Sequence, residues 1–203
     1  FEAENRADDD MQEQLELQDE IVLTSYQHSL TTLSLVSDFI SSRSINLPDE
    51  VKSGLTESSI RRISALSSLE DFLSFQVGGA IANLQKYTDS IFPDLLKHSP
   101  VKPETIITIN EVTDMPIPAE LASHLAIVIY ELLENSLQHA FEQDSPANYV
   151  RVALSLERSG DSSEEVLELF FSDNGIGVPD KIEEITSEDS GIAIVVSIVA
   201  KLG

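Results

Sequence analysis

The sequence predicts an α+β protein in two parts, a helical hairpin over residues 1–77 and an α/β sandwich layer over residues 80–203. Three observations predict it. From Leu17 onward, apolar residues recur at three- and four-residue steps, the spacing of a stripe along a helix. Beyond Pro103 the pattern changes to β-branched and alternating runs, the period of a strand. Between the two regimes Gly78 and Gly79 interrupt the helical signal.

The first sixteen residues are acidic and poor in large apolar side chains, so they read as a solvated helix entry or tail. Leu17, Ile21, Tyr26, Leu30, Leu33, Val36 and Ile40 then form one stripe, ending near Ser42. Pro48 and Gly54 break the pattern. Thr56 caps a second helix with Ile60, Ile63, Leu66, Leu69 and Leu73 on one face. A lone hairpin with one stripe per helix leaves apolar surface wet, and pairing two hairpins in a homodimer closes a four-helix bundle.

A further helix is expected from about Ile81 to Leu96, carrying Leu84, Tyr87, Ile91 and Leu95, with the domain boundary nearby. Three strands follow in outline. One holds Ile106, Ile107 and Ile109, one Val150, Val152, Leu154 and Leu156, and one Leu167, Leu169 and Phe171. Leu121–Phe141 is too long and too apolar at helical steps for a strand, and a last helix runs from about Gly191 to Leu202.

Composition excludes some functions. Among 203 residues, 12 Lys and Arg face 36 Asp and Glu, and a net charge of −24 repels phosphate backbones and anionic lipid headgroups. Neither nucleic acid nor a membrane surface is expected as a partner. With no cysteine there is no disulfide framework and no thiolate metal site, which suits a reducing cytoplasm. No apolar run approaches the roughly 20 residues that span a bilayer. The chain opens at Phe1, and a segment of a longer protein is expected.

Three motifs carry chemistry. In YELLENSLQHAF, Tyr130–Phe141, the residues Glu131, Asn135 and His139 stand at four-residue steps and share one polar helix face. An amide and a carboxylate one turn apart suit a magnesium ion, which prefers oxygen ligands and keeps several waters, beside a triphosphate. The alternative is the solvated face of an amphipathic helix. In FFSDNGIGVPD, Asp173 ends an apolar strand and Gly175 and Gly177 follow, so a carboxylate suited to an exocyclic amine such as adenine's sits beside backbone that a ligand can approach. The alternative is an ordinary Asn-Gly turn. In SGIAIVVSIVAKLG, Gly191 opens a buried helix whose N-terminal N–H groups suit phosphate oxygens. A lone glycine there is a weak signal.

The order and spacing of the three resemble the sensor histidine kinases, in the branch with a short lid over the ATP site. Glu131 and Asn135 are similar to that family's N box, Asp173, Gly175 and Gly177 to its G1 box, and Gly191 to its G2 box. LTESSIRRISALSSLEDFL resembles its second dimerisation helix, and LTTLSLVSDFISSRS the latter part of its first. The resemblance spans roughly Glu20 to Gly203. It implies a Bergerat-type ATP-binding sandwich behind a dimerisation hairpin, with ATP and Mg as cofactors and a homodimer and a response-regulator receiver domain as partners. By the same resemblance Asn135 binds magnesium, Glu131 orients water or metal, Asp173 selects adenine, and His139, Gly175, Gly177 and Gly191 belong to the ATP site.

Two departures bear on activity. Where the family places its phosphoacceptor histidine, Val22, Leu23 and Thr24 stand, none able to form a phosphoramidate. His28 lies about one helical turn further on. The run from His28 to Thr32 resembles the His-acid-x-x-Thr pattern of other branches, with Ser29 in the acid's place, which makes His28 the candidate acceptor and Thr32 its companion. Gln138 stands where the N box carries lysine. In the last box only Gly191 remains, the lid before it is acidic, and the sequence ends at Gly203 where the family continues into closing strands, so a C-terminal truncation, or otherwise a loss of those strands, is expected.

The expected function is a histidine kinase core that moves the γ-phosphoryl group of ATP to a histidine and on to a response regulator. The alternatives are a catalytically degenerate scaffold or an ATP-independent phosphotransfer protein, which the loss of an acceptor at Leu23 and Thr24 favours. A serine kinase of the anti-sigma type shares the nucleotide-binding domain, but the long hairpin argues against it.

Overall fold

The computed structural model describes residues 25, 29, 61–76, 79–142, 147–158, 165–177 and 191–202. Of the expected first hairpin helix only Ser25 and Ser29 are described, both helical; His28, Thr32 and the lid before Gly191 lie outside the described residues.

The first described element, α1 (residues 61–67), tightens into a 3-10 turn at Ser68–Phe72 and stops where Leu73 turns extended. Leu66 and Leu69 point into the core as their spacing predicts. Leu73, expected on that helix, opens a strand instead. Strands β1 (Leu73–Gln76) and β2 (Gly79–Ala82) pair antiparallel, with Leu73 opposite Ala82 and Gln76 opposite Gly79. The helix expected from Ile81 therefore begins later, as α2 (Leu84–Lys97). Asn83 sets that start, its side chain accepting the Lys86 backbone N–H at 2.9 Å as an N-cap. Leu84, Tyr87, Ile91 and Leu95 are buried along it, the stripe their spacing predicts.

After a 3-10 turn at Pro103–Thr105 come β3 (Ile106–Val112) and the two-residue β4 (Ile117–Pro118), which pairs with β2. The long helix α3 (Ala119–Asn135) is buried almost all round its middle, from Leu125 to Glu131. It continues as a π-helical turn, Ser136–Ala140. Strands β5 (Asn148–Arg158) and β6 (Glu165–Asp173) form an antiparallel pair, and β5 runs parallel to β3, so the second sheet has the order β3-β5-β6. The last described element is α4 (Gly191–Leu202), as expected.

Alternation orients the sheet. Val150, Val152 and Leu154 of β5 are fully buried, and Leu167, Leu169 and Phe171 of β6 pack against the same core. Val166 and Phe170, one residue out of step, are exposed. Residues from α1 to α4 join in that one core. Among the described residues no helix is long and apolar enough to cross a membrane.

Two buried tyrosines set a pH limit on stability. Burial first, then the negative field of Tyr130 and Glu131, pushes the Tyr87 hydroxyl far above its ordinary value of 10.0. Burial first, then Glu134, does the same for Tyr130 against the opposing charge of Arg62. Both phenols are un-ionised in the folded chain where the unfolded chain ionises them. Their contribution is thus complete below pH 10 and drains away above it, by about 1.4 kcal/mol per pH unit for each tyrosine. Chemical denaturation from pH 9 to 11 is expected to show the onset of that loss, about 1.4 kcal/mol per tyrosine over the whole interval, and Tyr87→Phe is expected to remove one tyrosine's share of it.

Candidate functional site

The alternation that buries Leu167, Leu169 and Phe171 continues one step further to Asp173, the last residue of β6. A carboxylate is thereby delivered to the inner side of the sheet, opposite Val150. Two donors hold it. Ser136 Oγ donates to Oδ2 at 2.6 Å, and the backbone N–H of Gly175 donates to Oδ1 at 2.9 Å. Each oxygen keeps a second lone pair for another donor.

The loop after Asp173 is fastened on both sides. Asn174 accepts the Tyr149 N–H at 2.7 Å and donates to the Ala147 carbonyl at 2.9 Å, which ties it to the start of β5. Gly175 sits against the end of the π-helical turn. A Cβ there would collide with the Ala140 carbonyl and Cβ, and Ile176 N–H donates to that carbonyl at 2.8 Å. Gly177 has a φ of +78°, a conformation L side chains rarely adopt.

Glu131 and Asn135 stand one α-helical turn apart, whereas His139 lies on the π-helical turn and is exposed, unlike the buried Glu131 and the half-buried Asn135. The irregular turn is supported from outside. Ser99 Oγ donates to the Leu137 carbonyl at 2.8 Å, and the Gln138 amide donates to the His98 carbonyl at 2.8 Å. Gln138, at the position where lysine was expected, is thus tied to the end of α2. Asn135 is half-buried, and its amide makes no hydrogen bond to a described residue.

Glu131 occupies a different environment from an open magnesium or water ligand. It is 2% exposed, and Arg62, 6% exposed, reaches it from α1. Arg62 Nη2 donates to Oε2 at 2.6 Å while Nε faces Oε1, a two-point pairing. Arg62 Nη2 also lies 3.5 Å from Glu134 Oε2, and Arg61 Nη2 3.6 Å from Glu134 Oε1. Gly191, the first residue of α4, closes on the same carboxylate, for a Cβ there would land on Oε2. The structure therefore brings Asp173 and Gly175 together at the π-turn, leaves Gly177 with open space around it, and places Gly191 on Glu131 one helix turn before Asn135.

Among the described residues no three His, Asp or Glu side chains converge as a metal site. With Glu131 engaged by Arg62, the Asn135 side-chain oxygen is the group on this helix face that could take part in holding a cation. A cavity of 340 Å³ lies elsewhere, between α1 and α2, with Arg61, Phe72, Asp94 and Tyr130 among its walls. Sequence reasoning missed Arg62, Ser136 and Asn174. The only signals were two adjacent arginines in an acid-rich chain, a serine directly after Asn135, and the asparagine inside the Asp-Asn-Gly run.

No family model matches the chain. It is similar to the sensor histidine kinase PdtaS of Mycobacterium tuberculosis, 31% identical over 143 residues, which covers 70% of this chain and 27% of that protein. The PdtaS of Mycolicibacterium smegmatis is 30% identical over 152 residues, 74% of this chain and 28% of that protein. The chain thus spans less than a third of these relatives' length. In structure it resembles the histidine kinase domain of the Erythrobacter litoralis blue-light activated histidine kinase EL346, with a TM-score of 0.60, 21% identity, and coverage of 92% of this chain and 82% of that one. The longer EL346 structure gives a TM-score of 0.66 at 20% identity, over 88% of this chain and 52% of that one. Given relatives of that name in sequence and neighbours of that name in fold, the chain belongs to the sensor histidine kinase family.

Proposed function

We propose that this chain is a histidine kinase core that binds Mg-ATP and passes its γ-phosphoryl group to a histidine and then to a receiver-domain aspartate. The observation that carries the proposal is the Asp173 carboxylate, held by Ser136 and Gly175 beside a half-buried Asn135. Asp173 accepts the exocyclic amine of adenine, Asn135 meets the magnesium ion that arrives on the phosphates, and Gly177 leaves room for the nucleotide. ATP supplies the phosphoryl group, and the protein's part is to position and to balance charge.

Under this proposal residues 80–203 form a Bergerat-type nucleotide domain. The helical part of residues 1–77, up to the point where Leu73 opens β1, forms the hairpin that pairs with a second copy into a four-helix bundle, with His28 as acceptor and Thr32 beside it. A cytoplasmic setting follows from the same chemistry, since ATP and receiver domains are found there. A second reading, a scaffold that keeps the fold without turnover, draws on the pairing of Glu131 with Arg62, which leaves that carboxylate no open oxygen for water.

The test is titration with Mg-ATP, followed by incubation with γ-labelled ATP. Asp173→Asn, which keeps an acceptor oxygen for Ser136 but removes the charge, is expected to weaken nucleotide binding by about 10- to 100-fold, the worth of a hydrogen bond to a charged group. Acid-labile label lost in His28→Ala and in Asn135→Ala supports the kinase. Nucleotide binding without label supports the scaffold. A folded wild type that binds no nucleotide overturns both the ATP site and the kinase.

A further inference from the structure

We infer that Arg62 is a positioning residue of the nucleotide site, whose guanidinium cancels the Glu131 charge so that the polyphosphate end of a nucleotide can approach. The inference rests on the nucleotide-binding reading above and adds to it a residue from outside every nucleotide-binding motif. Arg62 lies 69 positions before Glu131, on α1, in the segment that resembles the second dimerisation helix.

The geometry argues for charge balance rather than simple packing. The acidic pair Glu131 and Glu134 sits on α3 at the approach to Asn135, and Arg61 and Arg62 meet it, two cations to two carboxylates. Gly191 closes on the Glu131 side chain from α4, so the carboxylate is covered by α1 on one side and α4 on the other. In a chain with 12 basic residues against 36 acidic ones, two cations spent on one helix face is an unusual local balance. Without Arg62 the buried Glu131 carboxylate would lose the guanidinium that touches it, at the start of α4, where a triphosphate brings further negative charge into a poorly solvated place. The adenine end of the site lies further along. Ser136, which holds Asp173, follows Glu131 by five residues, about 7.5 Å along a helix axis.

The two ends of the nucleotide therefore respond differently to the loss of Arg62. Repulsion falls on the phosphates, whereas an adenosine without phosphates meets only the Asp173 end. A residue that served stability alone would lower both affinities together through the folded fraction.

The experiment is an NMR titration of the full 203-residue chain with Mg-ATP and, separately, with adenosine; the protein spectrum reports folding in the same sample. Arg62→Gln is expected to weaken Mg-ATP by about tenfold or more while adenosine stays within about twofold. Adding Glu131→Gln to that variant removes the uncompensated charge and is expected to restore Mg-ATP binding, and Arg62→Lys, which keeps the charge, is expected to recover most of it. If Arg62→Gln gives no folded spectrum, Glu131→Gln alone carries the test. It leaves Arg62 as net positive charge, so Mg-ATP binding is expected to hold or to tighten, and weaker binding overturns the inference. Mg-ATP binding in Arg62→Gln equal to wild type, or equal losses for Mg-ATP and adenosine, also overturn it while leaving the nucleotide site standing. A wild type that binds neither ligand overturns the nucleotide-binding reading itself, and the role of Arg62 with it.

Discussion

Replacing Arg62 with leucine is expected to cost about 3–5 kcal/mol of folding stability, read as a fall in the urea midpoint, because it leaves the Glu131 carboxylate buried without its counter-charge. Both partners are nearly sealed from solvent, which distinguishes this pair from Lys97 with Asp94 on α2, an exposed pair 3.2 Å apart that is worth little. The double variant Arg62→Leu/Glu131→Leu is expected to recover most of the loss, since two apolar side chains occupy the same interior without the desolvation of two ions. A single variant as stable as wild type would mean that the guanidinium and the carboxylate are separated in solution.

The second large effect is at the loop after β6. Gly175→Ala forces a methyl group onto the Ala140 carbonyl and Cβ, and neither is the far end of a flexible side chain that can swing away. The loop must lift from the π-turn, which breaks the Ile176 to Ala140 hydrogen bond and withdraws the N–H that Gly175 gives to Asp173. The expected cost is about 2–4 kcal/mol, from overpacking together with lost hydrogen bonds. Nucleotide affinity is expected to fall more than for a core variant of equal stability, such as a Leu133→Ala chosen for its burial in α3. If the two variants lose affinity to the same extent, the contact serves stability alone.

Much of this was legible from local patterns. Period-two alternation in Val150–Leu156 and Leu167–Phe171 determined two strands and the face each buries, because adjacent side chains on a strand must point to opposite sides. The same alternation, carried on to Asp173, determined that its carboxylate would face inward. Gly191–Leu202, apolar but for Ser197 and Lys201, could be placed as a helix for its length. Motif spacing groups Glu131, Asn135 and Asp173 as one candidate site; the fold holds Asp173 against Ser136, next to Asn135, and engages Glu131 with Arg62.

Other features depend on contacts that no local pattern contains. Gly79–Ala82 alternates too briefly to announce a strand, and it becomes one because β1 and β4 supply hydrogen bonds on its two sides. The switch from α-helix to π-turn after Asn135 is set by donors from Ser99 and Ile176, distant in sequence, that take up the carbonyls of Leu137 and Ala140. Only the tertiary structure could pair Glu131 with Arg62. A sequence shows that a carboxylate is present, whereas its charge environment is a sum over whatever the fold brings within a few ångströms, here a guanidinium 69 residues away and the backbone of Gly191.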